Sequence, residues 1–97
     1  MKPRKVIIAT DKEYSDEYEY ILDDLFKRKI DLFCAWGKYC GQWDTAMDLF
    51  ITDPKRMDEE HHITTTCHND EPFDDVLNMA ELWFSEKRGN EVEIIKL

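Results

Sequence analysis

The stretch "IDLFCAWGKYCGQWDTAMDLF", residues 30–50, decides the fold. Its first part, "IDLFCAWG" over 30–37, is a short apolar run, as expected of a strand covered on both faces. Gly37 then allows a sharp turn. From Tyr39 onward, Trp43, Ala46, Met47 and Phe50 recur at helical spacing. Asp53-Pro54 ends the helix, because the residue before a proline avoids helical angles. A buried strand that passes through a glycine straight into an amphipathic helix is half of a parallel crossover unit.

The same unit appears on both sides. Upstream, "KVIIATD" (5–11) is a β-branched apolar strand. It is followed by a helix that places Tyr18, Ile21, Leu22, Leu25 and Phe26 on one stripe, with Asp16, Glu17 and Glu19 in its first turns and Lys27, Arg28 and Lys29 in its last, as the helix dipole favours. Downstream, after the polar connection "KRMDEEHH", "HITTTCHN" (62–69) alternates Ile63, Thr65 and Cys67 against Thr64, Thr66 and His68, the pattern of a strand with a less apolar face. "DEPF" predicts a helix start, with Asp70 or Glu71 capping and Pro72 in the first turn. Phe73, Val76, Leu77, Ala80, Trp83 and Phe84 form its stripe, Gly89 stops it after Lys87 and Arg88, and "EVEIIKL" closes as a fourth strand. In that strand Glu91, Glu93 and Lys96 are placed to guard an open edge, and Glu93→Val is expected to promote association if they do.

The pattern βαβαβαβ predicts a small three-layer α/β sandwich with a mainly parallel four-stranded sheet, and a doubly wound strand order is the expectation. The 97 residues suit a single domain, 1–97, since two cores would each be too small to offset the entropy of ordering. With 42% hydrophobic and 12% aromatic residues the core needs neither metal nor disulfide.

Charge narrows the function classes. Twenty-two acidic against 13 basic residues give a net charge of -9, which disfavours nucleic acid and other polyanions as partners. The acids recur at 16–24, 44–60 and 70–75 rather than in one tail, so a folded surface carries them. The four apolar residues in "MKPRKVIIATD" are too few for a signal core or a membrane span. Three cysteines at irregular spacing fit a reducing compartment. The expectation is a cytoplasmic protein without membrane partners, monomeric or homodimeric.

In open parallel sheets, ligands bind outside the carboxyl ends of the strands. That rule brings together Thr10-Asp11, Trp36-Gly37-Lys38 and His68-Asn69-Asp70-Glu71. "CAWG" followed by "WD", and later "TTTCH" before an acidic helix start, resembles a family of small uncharacterised bacterial α/β proteins. The resemblance implies that these positions go together, and it carries no activity.

No complete catalytic motif is present. Cys40 near a helix start and Cys67 beside His68 are candidate nucleophiles outside any specific motif, and Cys34 reads as a small core residue. Cys40, Cys67, His61, His62 and His68 lack the paired spacing of a zinc site, so no metal or other cofactor is expected. Asp11, Asp44, Asp48 and Asp70 offer carboxylates, for which dipole, capping and solvated-face roles are the simpler readings. The loop "ATDKEYSDE" has no glycine and would repel a phosphate; "GKYCG" has two glycines and Lys38 but matches no nucleotide fingerprint.

The leading expectation is therefore a non-enzymatic acidic protein that recognises a basic macromolecule, in the manner of a toxin immunity protein or inhibitor. Asp16, Glu17, Asp23, Asp24, Asp44, Asp48, Asp74 and Asp75 would supply the field, with Tyr14, Tyr20 and Tyr39 as anchors; Trp36, Tyr39, Asp44, Asp48, His68 and Asp70 are the binding candidates. The alternative is a small-ligand or hydrolytic site at the carboxyl edge, using Cys40, His68, Asp11 and Asp70 as catalytic groups. Convergence of His68, Asp11 and Asp44 in one concave pocket would favour the alternative.

Overall fold

A computed structural model describes residues 3–53, 63–83 and 91–97. The strands are β1 (Lys5–Ala9), β2 (Leu32–Trp36), β3 (Thr64–His68) and β4 (Val92–Lys96). The helices are α1 (Glu19–Lys27), entered through a short 3-10 turn at Asp16–Tyr18, α2 (Cys40–Ile51) and α3 (Phe73–Leu82). The predictions for "KRMDEEHH" beyond its strand junction, for His61 and His62, and for Phe84, Lys87, Arg88 and Gly89 fall outside the described residues.

All three strand pairs are parallel, in the order β3-β2-β1-β4. The chain steps outward from β1 through β2 to β3, then crosses back to the far side of β1. Right-handed crossovers in opposite directions place their helices on opposite faces. Accordingly, Val6, Ile8, Phe33 and Ala35 pack with Ile21, Leu22 and Leu25 of α1 and Trp43, Met47 and Phe50 of α2. Ile7, Leu32 and Cys34 pack on the other face with Val76 and Ala80 of α3. The expected three-layer, doubly wound α/β architecture is what forms.

Polar links tie the layers at points where burial alone would leave groups unpaired. Trp43 is buried beneath α1, and its Nε1 donates to the Lys12 carbonyl at 2.9 Å. Tyr14 meets the same ring edge-on, with centroids 5.1 Å apart, a favoured aromatic geometry. Lys5 is only 1% exposed; its Nζ donates at 3.1 Å to the carbonyl of Glu81 near the end of α3. A cation there satisfies an orphan carbonyl and meets the negative end of the helix dipole.

Several local expectations need correction. Neither Asp70 nor Glu71 caps α3: Pro72 holds the N-cap position without a side-chain cap bond, and Asp74 and Asp75 supply the acidic first turn. Asp44 lies a full turn into α2, whose first turn carries no acid. Asp48 is not merely solvated, because its Oδ1 accepts from Thr65 Oγ1 at 2.8 Å. β4 is an edge strand, but Glu93 does not stand guard alone: its Oε1 binds Arg28 Nη2 at 2.8 Å.

Candidate functional site

The carboxyl edge of the sheet is stitched by main-chain bonds. Thr10 N–H donates to the Trp36 carbonyl at 3.1 Å, and Gly37 N–H donates to the His68 carbonyl at 3.1 Å. The three loops predicted to meet do meet there. Gly37 makes the junction feasible: its φ is 128°, and a Cβ at that position would overlap the Thr10 carbonyl oxygen. Asp11 Oδ1 accepts from the Lys38 N–H at 3.4 Å.

A cavity of about 400 Å³ opens between the ends of β1 and β4, where the strand order reverses. Thr10, Asp11, Trp36, Phe73, Lys96 and Leu97 line it. The Trp36 and Phe73 rings pack edge to face at 5.3 Å, and Trp36 Nε1 donates to the Glu71 carbonyl at 2.7 Å. Of the candidates, only Trp36 and Asp11 reach this cavity.

His68 is occupied on both ring nitrogens. Nδ1 lies 2.7 Å from Glu71 Oε1 and Nε2 lies 2.9 Å from Thr66 Oγ1. Because a carboxylate can only accept, Nδ1 carries a proton toward Glu71, while Nε2 pairs with the threonine hydroxyl, which can donate or accept. Asp70 is exposed and takes no part in that chain of bonds. Along β3 the side chains alternate between faces: His68 and Thr66 share one, while Cys67 and Thr65 face α2 with Cys40, Asp44 and Asp48. The hydrolytic set of Cys40, His68, Asp11 and Asp70 is thus divided between two faces of the sheet. His68, Asp11 and Asp44 do not converge.

On the α2 side, Cys40 is 2% exposed. Burial first, then the neighbouring Cys40 thiol and the Asp44 charge, push the Cys67 thiol up to about 12. Cys34 is also held above the ordinary thiol range, by burial first, with a Thr66 hydrogen bond pulling the other way. Among the described residues, no three His, Cys, Asp or Glu side chains come together as a metal-ligand set.

A second concavity lies elsewhere. A groove of about 940 Å³ runs between α1 and α2. Ala46, Leu49 and Phe50 make it apolar, and Tyr14, Asp16 and Glu19 rim it from the α1 side. Leu49 is 67% exposed. Tyr39 sits half-buried against the core beside this layer, with Lys38 Nζ 5.4 Å from its ring centroid. Sequence reading missed Leu49, although a signal existed: a leucine off the Trp43, Met47 and Phe50 stripe is an apolar residue on the outer side of the helix.

One family model spans residues 1–95, nearly the whole chain. The chain belongs to that family, described as Domain of unknown function (DUF7684). No curated protein and no solved structure matches it. A DUF7684 assignment carries no activity with it, so function must be argued from the site itself. Among the described residues, no helix is long and apolar enough to cross a membrane.

Proposed function

We propose that this DUF7684 protein is a non-enzymatic binding module that docks a basic, amphipathic segment of another protein in the groove between α1 and α2. One observation carries the reading: the concavity between α1 and α2 has an apolar floor with an acidic rim, Asp16 and Glu19 standing beside Leu49 and Phe50. Helical segments commonly bind by laying an apolar face into such a groove. The net charge of -9 would speed the encounter with a cationic partner and select against anionic ones. The division of the hydrolytic candidates between two sheet faces supports binding over catalysis. In this reading the protein is bacterial and cytoplasmic and neutralises a basic toxin or nuclease.

The test uses two synthetic helical peptides with the same leucine face, one with lysine and arginine on its outer face and one with glutamate. Fluorescence anisotropy should give at least about tenfold tighter binding of the basic peptide, weakening as salt rises. Leu49→Lys removes apolar floor and adds a like charge at an exposed position, so it should cost at least about tenfold in affinity, roughly 1.4 kcal/mol, without unfolding the protein. Equal binding of the two peptides, or indifference to Leu49→Lys, would sink the reading.

A further inference from the structure

We infer that the cavity at the carboxyl ends of β1 and β4 is a second binding site, one that takes a small zwitterion of the amino-acid class with its apolar side chain against Trp36 and Phe73. The cavity follows from register. Trp36, Ala9 and Lys96 stand side by side on the last rung of β2, β1 and β4, and the alternation that turns Ile7, Cys34 and Val92 toward α3 turns these three to the same face. Neighbouring strands lie about 4.8 Å apart, so a single methyl group separates a large aromatic from a long cation across roughly 10 Å. Ala9 is the floor of the cavity, and Phe73, the first residue of α3, closes one side.

The charges on the lining select the ligand. Asp11 and Lys96 border the same space with opposite signs, yet among the described residues neither takes part in an ion pair. The Asp11 carboxylate accepts the Lys38 N–H at 3.4 Å, a weak contact. A molecule that brings both a carboxylate and an ammonium offers each of them a partner. The wider field favours the same class: a chain with a net charge of -9 repels a simple anion, whereas a zwitterion approaches without net repulsion. At about 400 Å³ the cavity has the size of a small-molecule pocket.

The walls are fixed before a ligand arrives. The Trp36 ring is held by its 2.7 Å bond to the Glu71 carbonyl and by the edge-to-face contact with Phe73. Thr10, only 6% exposed, accepts from the Lys12 N–H at 3.0 Å and donates to the Leu97 carbonyl at 3.4 Å, tying the loop at the mouth to the end of β4. Walls already ordered cost little entropy on binding. The groove between α1 and α2 belongs to the other face of the sheet, so the two sites are separate and either reading can fail alone.

The experiment titrates the full isotope-labelled chain with L-phenylalanine, L-tryptophan and L-leucine and follows its amide and indole resonances by NMR. At least one of the three should give saturable shifts at Thr10, Asp11, Phe73 and the Trp36 indole N–H. The same compound stripped of its carboxylate, or of its ammonium, should bind at least about tenfold more weakly. Lys96→Gln, at an exposed position, should leave the fold intact and erase the advantage of the amino acid over the amine; Asp11→Asn, also exposed, should erase its advantage over the acid. Absence of saturable shifts with all three, shifts confined to the α1–α2 groove, or equal affinity for the stripped compounds would overturn the inference.

Discussion

Gly37 stands with φ at 128°, and the Thr10 carbonyl oxygen occupies the space that a Cβ there would need. Gly37→Ala combines left-handed backbone strain with a direct overlap against main chain. It should lower stability by about 2–4 kcal/mol in urea unfolding; a loss below about 0.5 kcal/mol would show that the loop relaxes freely. The glycine was legible in the sequence as a turn residue after an apolar run. The atom that makes it obligatory was not, because Thr10 belongs to another strand. Trp43 was likewise legible as core from its spacing, whereas its acceptor, the Lys12 carbonyl, lies in a loop that no periodicity describes. His68 shows the limit of residue type alone: a histidine at a strand end invites a catalytic reading, and only its placement between Glu71 and Thr66 reveals both nitrogens engaged.

Between elements, side-chain clamps decide how helices sit on the sheet. Arg28, just beyond α1, joins Glu93 of β4 and the Pro3 carbonyl, each at 2.8 Å, and so ties a helix to the far edge strand. Arg28→Ala should cost about 1–3 kcal/mol, since it deletes charge-assisted bonds and leaves acceptors without their donor. Glu93→Val should cost less, and the double variant should lose less than the sum of the singles, a coupling that a double-mutant cycle measures. Strict additivity would deny the link. Glu93→Val was expected to report edge guarding through association alone; the ion pair means that sedimentation must be read beside stability. Element type was legible almost throughout, because strand runs and helical stripes have different periods. Capping was less so: "DEPF" fits a side-chain cap equally well whether or not the acid turns away to bind a histidine.

Across the whole molecule, proton binding gives a stability profile with a definite sign. Tyr14 is raised by burial first and then by Glu19 and Asp16; Tyr18 is raised by desolvation and Glu17; Cys34 is raised by burial and Cys67 reaches about 12. Each group holds its proton more tightly folded than unfolded, so the folded state binds more protons between the two values. Stability is then fully present below about pH 9 and falls as pH climbs toward 12. Thermal midpoints measured from pH 8 to 11 should decline, and Cys67→Ser should make the decline shallower. A profile flat to pH 11 would contradict this.

Strand order is the whole-molecule feature least legible in sequence. The pattern of strands and helices is the same for several parallel orders, and only long-range pairing separates them. The order found here, β3-β2-β1-β4, seats the first strand at the centre and gives it the last strand as a neighbour, Lys5 opposite Val92. That arrangement sets a timetable for synthesis. β1 is made ahead of β2 and meets it early, yet its other edge stays unpaired until residues 92–96 have emerged. Throughout that interval a strand of Val6, Ile7 and Ile8 presents an open row of amides and carbonyls to any neighbouring nascent chain. The residues of β4, more than eighty positions downstream, thus determine whether β1 is shielded from aggregation.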